Sequence, residues 1–221
     1  MEKPAKTMKL YSYFRSSATY RLRIALALKG IAYEPAFVHL RRKEQQATDY
    51  LALNPQGLVP TLVDDDGTVV TQSMAMVEYL EETRPEPPLL PADAAGRARV
   101  RALALAVACE IHPVNNLRVL LYLTKEMKVG DAVKNTWYRH WVDEGLAGLE
   151  SMLGGHPSTG RFCHGDRPTM ADAFLVPQIF NAERFGCDVD KFPTIRRIND
   201  TMLALPELAG TAPDDQPDSE S

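Results

Sequence analysis

The sequence predicts an α+β protein: a small α/β domain over residues 1–84, a proline-rich linker at 85–92, an all-helical domain over 93–210 and a flexible tail at 211–221. Three observations predict it. Strand and helix signals alternate over the first ~83 residues. Arg84–Pro91, RPEPPLLP, then puts four prolines in eight residues, which neither a helix interior nor a central strand accommodates. Beyond it only helical patterns follow.

Leu10–Phe14 alternates like a strand. Thr19–Lys29 carries a helical stripe of Leu22, Ala25, Leu26 and Leu28, and Gly30 stands where a helix stop belongs. Tyr33–His39 reads as a second strand and Glu44–Leu53 as a short polar helix ending at Asn54-Pro55. Thr61–Val63 and Val69–Thr71 read as strands joined by the Asp64–Gly67 turn, DDDG. Ser73 is expected to cap a helix over Met74–Thr83. In the second half, helices are expected at Ala94–Asn116, Val133–Leu153, Met170–Phe185 and Ile195–Leu203. Thr169 and Asp172 have capping-box spacing. Thr211–Ser221, TAPDDQPDSES, is polar and acidic, the composition of a disordered tail.

With 45% apolar and 24% charged residues the chain has an ordinary globular composition. A net charge of −4 with dispersed basic residues argues against nucleic acid or an anionic membrane as partner. No apolar run approaches the ~18 residues of a membrane span. Met1–Thr7 lacks the apolar core of a signal peptide. Cys109, Cys163 and Cys187 are odd in number and far apart, which fits a reducing compartment rather than a disulfide framework. The expectation is a soluble cytoplasmic protein. His39, His140, His156 and His164 are isolated, so no metal site is expected. Trp137 and Trp141, four apart, read as core or interface residues.

The corner KLYSYFRSSATYRLRIALALKG, Lys9–Gly30, carries the most chemistry. A strand runs through Arg15-Ser16-Ser17 straight into a helix. Free N–H groups, the positive end of the helix dipole, two hydroxyls and a guanidinium meet there, which suits an anion, a thiolate among them. Either serine also reads as a simple N-cap, and the two roles are compatible.

The α/β half, with Val59-Pro60 just before its third strand, resembles the thioredoxin-like fold. Both halves together resemble a cytosolic glutathione transferase, closest to the zeta class of maleylacetoacetate and maleylpyruvate isomerases. The segments YSYFRSSATYRLRIALALKG, NPQGLVPTL, QSMAMVEYLEE and GDRPTMADAFLVPQIFNAERF carry that resemblance. One position departs from the pattern. Zeta-class enzymes read Ser-Ser-Cys at the turn, and some maleylpyruvate isomerases Ser-Gly-Thr; here Ala18 is third. Either that side chain is dispensable, or activity rests on Ser16, Ser17 and backbone N–H groups.

The resemblance implies glutathione as cofactor, a dicarboxylic keto acid as substrate and a homodimer. It implies a cis–trans isomerisation in aromatic-compound or tyrosine breakdown, in which a thiolate adds to the alkene, the resulting single bond rotates, and the thiol leaves. A free thiol of pKa ~8.5 is only a few per cent ionised near pH 7. The catalytic candidates that would hold the thiolate are Ser17, Ser16 and Arg15. Gln72 and Ser73 match the pair that binds the γ-glutamyl carboxylate. Val59-Pro60 would be cis and turn the Val59 backbone toward the cysteinyl backbone. Gln45 and Gln56, as weaker candidates, and His112, Asn116 and Arg118 would be further glutathione contacts. Arg15 and Arg184 would take the substrate carboxylates.

Two other readings share this site: a transferase conjugating small electrophiles such as α-halo acids, and a glutathione-binding protein without chemistry, for which Ala18 is the support. Two substrate-placed arginines favour the isomerase over a detoxifying transferase with an apolar pocket.

Overall fold

The computed structural model describes residues 7–220; residues 1–6, where most of the leaderless N-terminal reading falls, lie outside. The chain divides into two compact units, Met1–Pro88 with Pro206–Ser221, and Leu89–Leu205.

The first unit holds a four-stranded sheet of β1 (Lys9–Ser12), β2 (Glu34–Phe37), β3 (Thr61–Val63) and β4 (Val69–Thr71), in the order β2-β1-β3-β4. β1 pairs parallel to β2, crossing over through α1 (Ser17–Leu28). β3 runs antiparallel to both β1 and β4. β1 is shorter at its C-terminal end than the alternation suggests. Tyr13 and Phe14 leave the sheet because the Phe14 N–H is taken by the Asp218 carboxylate, at 3.0 Å, instead of a strand partner.

α1 is buried on far more than one stripe: Ser17 and Thr19 through Leu26 are all inaccessible. It packs against α3 (Ser73–Thr83) and against the 3₁₀ turn Pro206–Leu208. Gly30, at φ +65°, turns the chain out of the helix as expected. The helix expected over Glu44–Leu53 is two pieces, a 3₁₀ turn Glu44–Gln46 and α2 (Thr48–Leu53), because Ala47 between them is extended. Ser73 is not the cap of α3. Gln72 holds that position at φ +70°, and Ser73 is the first helical residue.

Residues 211–220 are not a free tail. Pro213–Asp215 forms a 3₁₀ turn, Gln216 Nε2 donates to the Gly210 and Ala212 carbonyls, and Glu220 pairs with His39 at 2.8 Å. Its acidic composition meets basic partners on its own unit, which composition alone does not reveal.

In the second unit, α4 (Ala94–Leu105) passes into a π-helical turn, Ala106–Ile111, and a 3₁₀ turn, Pro113–Asn115. Pro113 lacks the N–H that would continue the helix expected to Asn116. A helix unseen in the sequence, α5 (Leu117–Leu121), follows with Asn116 as N-cap. α6 (Asp131–Leu153), α7 (Met170–Arg184) and α8 (Pro193–Leu203) complete the unit. The Thr169/Asp172 capping box is formed. Asp172 is fully buried and also accepts the Cys163 N–H at 2.8 Å, fastening the loop before α7. Burial pushes its carboxyl above the usual carboxylate range.

Candidate active site

Strand register gathers the first unit's candidates. Ser12 lies opposite Phe37, Tyr11 opposite Thr61, and Thr61 opposite Thr71. The ends of β1, β2 and β4 and the start of β3 therefore share one edge of the sheet. From that edge emerge the Arg15–Ser17 turn, the loop bearing Gln45, Val59-Pro60 and Gln72-Ser73.

Ser16 is the N-cap of α1: its Oγ accepts the Thr19 N–H at 3.2 Å. Ser17 is 6% exposed and its hydroxyl has no hydrogen-bond partner among the described residues. The first-turn N–H groups of Ser17 and Ala18 are likewise uncommitted. The cap bond turns the Ser16 oxygen toward the Thr19 N–H, whereas the Ser17 hydroxyl is committed to no bond among the described residues. The Arg15 guanidinium lies over the Phe14 ring, 4.8 Å from its centroid, and donates to the Glu220 carbonyl at 3.3 Å.

Val59-Pro60 is cis. Tyr50 Oη and Asn54 Nδ2 both donate to the Leu58 carbonyl, at 2.6 and 2.8 Å, and both bond Thr61 Oγ1. This clamp holds the segment on either side of Val59 and leaves the Val59 N–H and C=O without partners among the described residues. Gly57, at φ +60°, allows that loop to lie against Gln45 and Gln46; a Cβ there would stand 2.5 Å from Gln46 Nε2. Gln45 Oε1 is buried and has no hydrogen-bond partner among the described residues. Gln72 Nε2 donates to Gln56 Oε1 at 2.7 Å.

Ser73 Oγ accepts from Arg21 Nη1 at 3.1 Å, and Arg21 is 2% exposed. This buried cation behind Ser73 went unread in the sequence, as did Arg23, whose Nη2 holds the Phe14 carbonyl at 3.1 Å. The available signal was two arginines inside an otherwise apolar helix.

In the second unit, Asn116 Nδ2 lies 3.4 Å from His112 Nε2, so those two candidates stand together. The Arg118 side chain is exposed. Arg184 sits at the end of α7, 3.4 Å from Asn181 Oδ1 and over the Phe185 ring. The neighbouring Glu183 is engaged by Arg196 at 2.6 Å. A cavity of about 540 Å³ in this unit, lined by Asp93, Arg99, Leu103, Met152, His156 and His164 among others, contains none of the predicted residues.

The cysteines are free thiols. Burial pushes Cys163 well up and Cys187 to about 11, so neither is poised as a thiolate.

Residues 15–83 match the family described as "Glutathione S-transferase, N-terminal domain", and residues 136–201 match "Glutathione S-transferase, C-terminal domain". A zeta-class glutathione S-transferase of Euphorbia esula is 44% identical, covering 100% of this chain and 97% of its own. The chain belongs to the zeta class of the glutathione S-transferase family. Within it, the maleylpyruvate isomerase of Ralstonia sp is 48% identical over 96% of this chain and 100% of its own. The maleylacetoacetate isomerase of Pseudomonas aeruginosa is 47% identical, with 96% and 99% covered. A holo structure of a bacterial zeta-class maleylpyruvate isomerase superposes with a TM-score of 0.93 at 47% identity, covering 96% of this chain and 100% of that one. The maleylacetoacetate isomerase of Methylobacterium extorquens AM1, solved with malonate and glutathione bound, also gives 0.93, at 43% identity and the same coverage. The family's sheet and helical half are those expected from the sequence. Among the described residues no helix is long and apolar enough to cross a membrane.

Proposed function

We propose that the protein is a glutathione-dependent cis–trans isomerase converting a maleyl keto acid, maleylacetoacetate or maleylpyruvate, to its fumaryl form in aromatic-compound or tyrosine catabolism. The observation that carries the reading is the full-length likeness, at 47–48% identity, to relatives bearing those names. A cytoplasmic homodimer is part of the proposal.

The residues at the sheet edge fit glutathione. The unpaired Val59 backbone offers one donor and one acceptor to an extended peptide, and the orphaned Gln45 Oε1 one more acceptor. Ser73, at the start of an 11-residue helix, offers its N–H and hydroxyl to a carboxylate. Because Arg21 donates to Ser73 Oγ, the Ser73 proton is left to point outward, with a guanidinium charge behind it.

When bound, glutathione supplies the thiolate that opens the double bond to rotation. Ser17 Oγ–H and the free N–H groups of Ser17 and Ala18 stabilise that charge at the positive end of α1. The backbone donor at Ala18 survives the loss of a polar side chain there. Arg184 and Arg15 are assigned to the substrate carboxylates; the malonate in the Methylobacterium relative is a dicarboxylate of the same kind. His112 and Asn116 form a polar pair for the glutathione backbone.

The test is to follow maleylacetone by NMR with and without glutathione, beside a dichloroacetate-type substrate. Loss of the cis isomer that requires, and does not consume, glutathione supports the isomerase. Conjugation without isomerisation favours the transferase, and retention on immobilised glutathione with neither reaction favours a binding protein.

A further inference from the structure

We infer that Asp218, delivered from the far end of the chain, is a positioning residue for the turn from which Ser16 and Ser17 project. The inference rests on the proposal that this turn holds the glutathione thiolate.

Phe14 is fully buried, one residue before Arg15 and beyond the last ladder bond of β1. Having left the sheet, its N–H has no strand to pair with. Asp218 Oδ2 accepts it at 3.0 Å, while the Phe14 carbonyl takes Arg23 Nη2 at 3.1 Å. Both backbone polar groups of Phe14 are thus fixed from outside the turn. The Ser16 N–H in turn donates to the Tyr13 carbonyl at 2.9 Å, so a displacement at Phe14 carries Ser16, and the first turn of α1, with it.

The C-terminal segment engages the same place at three further points. Arg23 Nε donates to the Thr211 carbonyl at 2.7 Å, which links the two ends of the clamp through one guanidinium. Arg15 Nη2 reaches the Glu220 carbonyl, and the Glu220 carboxylate bonds His39 at 2.8 Å. Arg23 is a buried cation, and the Asp218 charge is among those that favour its charged form. Asp218 thereby supplies the acceptor that the Phe14 N–H needs. The Phe14 N–H has no second acceptor among the described residues.

The experiment compares full-length wild type with Asp218→Ala and Asp218→Asn. The readouts are ultraviolet titration of the bound glutathione thiol, hydrogen exchange at the Phe14 and Ser16 amides without glutathione, and kcat/KM. For Asp218→Ala the inference expects a thiol titration raised by about one unit, ~10-fold faster amide exchange and a ~3- to 4-fold loss in kcat/KM. Asp218→Asn keeps a carbonyl acceptor and should stay within about 1.5-fold of wild type in kcat/KM and about twofold in exchange, since hydrogen-bond geometry rather than charge sets the turn. Wild-type titration and exchange in Asp218→Ala, with only a lower Tm, would overturn it; so would an Asn variant as impaired as Ala. Should the Ala variant not fold, Asp218→Glu displaces the same carboxylate by one methylene, and wild-type values there would overturn the inference equally. A wild type that shows no saturable thiolate signal overturns the glutathione reading, and this inference with it. A wild-type signal that residue 218 does not move overturns the inference alone.

Discussion

Replacing Ser17 by Ala removes one hydroxyl from a nearly buried first-turn position whose oxygen bonds nothing else among the described residues. An O–H donor to a thiolate at a helix N-terminus is worth ~1–2 pKa units, or ~1.4–2.7 kcal/mol. The loss in rate is smaller than the loss in ionisation, because a more basic thiolate is a better nucleophile, with a Brønsted slope of ~0.4–0.5. Below both titration midpoints the rate should therefore fall as the remaining half of the shift, roughly 3- to 10-fold. Above the shifted midpoint, where both thiols are fully ionised, the difference should close and then reverse, because the variant holds the more nucleophilic thiolate. Ser16→Ala instead loses the cap bond to Thr19, costing about 1 kcal/mol of stability and little turnover. The assay is a pH profile of kcat beside ultraviolet titration of the bound thiol. Equal and small effects of the two substitutions, with an unmoved titration, would refute the assignment and leave the backbone donors as sufficient.

Ser73→Ala should weaken glutathione binding by at least ~10-fold in calorimetry, since a charge-assisted hydrogen bond contributes ~1.5–3 kcal/mol; an unchanged Kd would remove Ser73 from the site. Arg184→Ala should raise the substrate KM about 10-fold with kcat within about twofold, the loss expected for a carboxylate contact; an unaltered KM counts against it. Stability should also depend on Asp64. Burial alone would raise its carboxyl, but hydrogen bonds from Arg84, at 2.7 and 3.0 Å, and from Tyr79 outweigh it and hold the group below its usual range. A carboxylate lowered by folding stabilises above its unfolded pKa of ~3.9 and loses that contribution as pH falls through the lower folded value. Arg84→Ala should flatten this acid limb of the melting curve, and an identical limb in wild type and variant would contradict the reasoning.

The sheet was legible because its strands announce themselves locally: Thr61–Val63 and Val69–Thr71 are apolar, β-branched and separated by a DDDG turn. The helical half followed from apolar periodicity and the Thr169–Asp172 box. What stayed hidden depends on partners distant in sequence. Arg21 and Arg23 carry no local signal of burial, yet they are buried and bond Ser73 and Thr211, 52 and 188 positions away. The 211–220 segment reads as disordered because its acids carry no pattern, and only the basic surface around Arg15, His39 and Arg42 gives them a place. Ser73 was displaced from cap to first turn by a left-handed Gln72, a conformation no propensity favours for a non-glycine residue. Proximity of Ser17, Val59 and Ser73 could be inferred from strand order once register was known, but no single segment contains it.

The decisive measurement is a crystal structure of the protein grown with glutathione. The account predicts the tripeptide laid along the Val59 backbone, its sulfur within hydrogen-bonding reach of Ser17 Oγ. Density for the tripeptide elsewhere, or a sulfur turned away from residues 16–18, would contradict it.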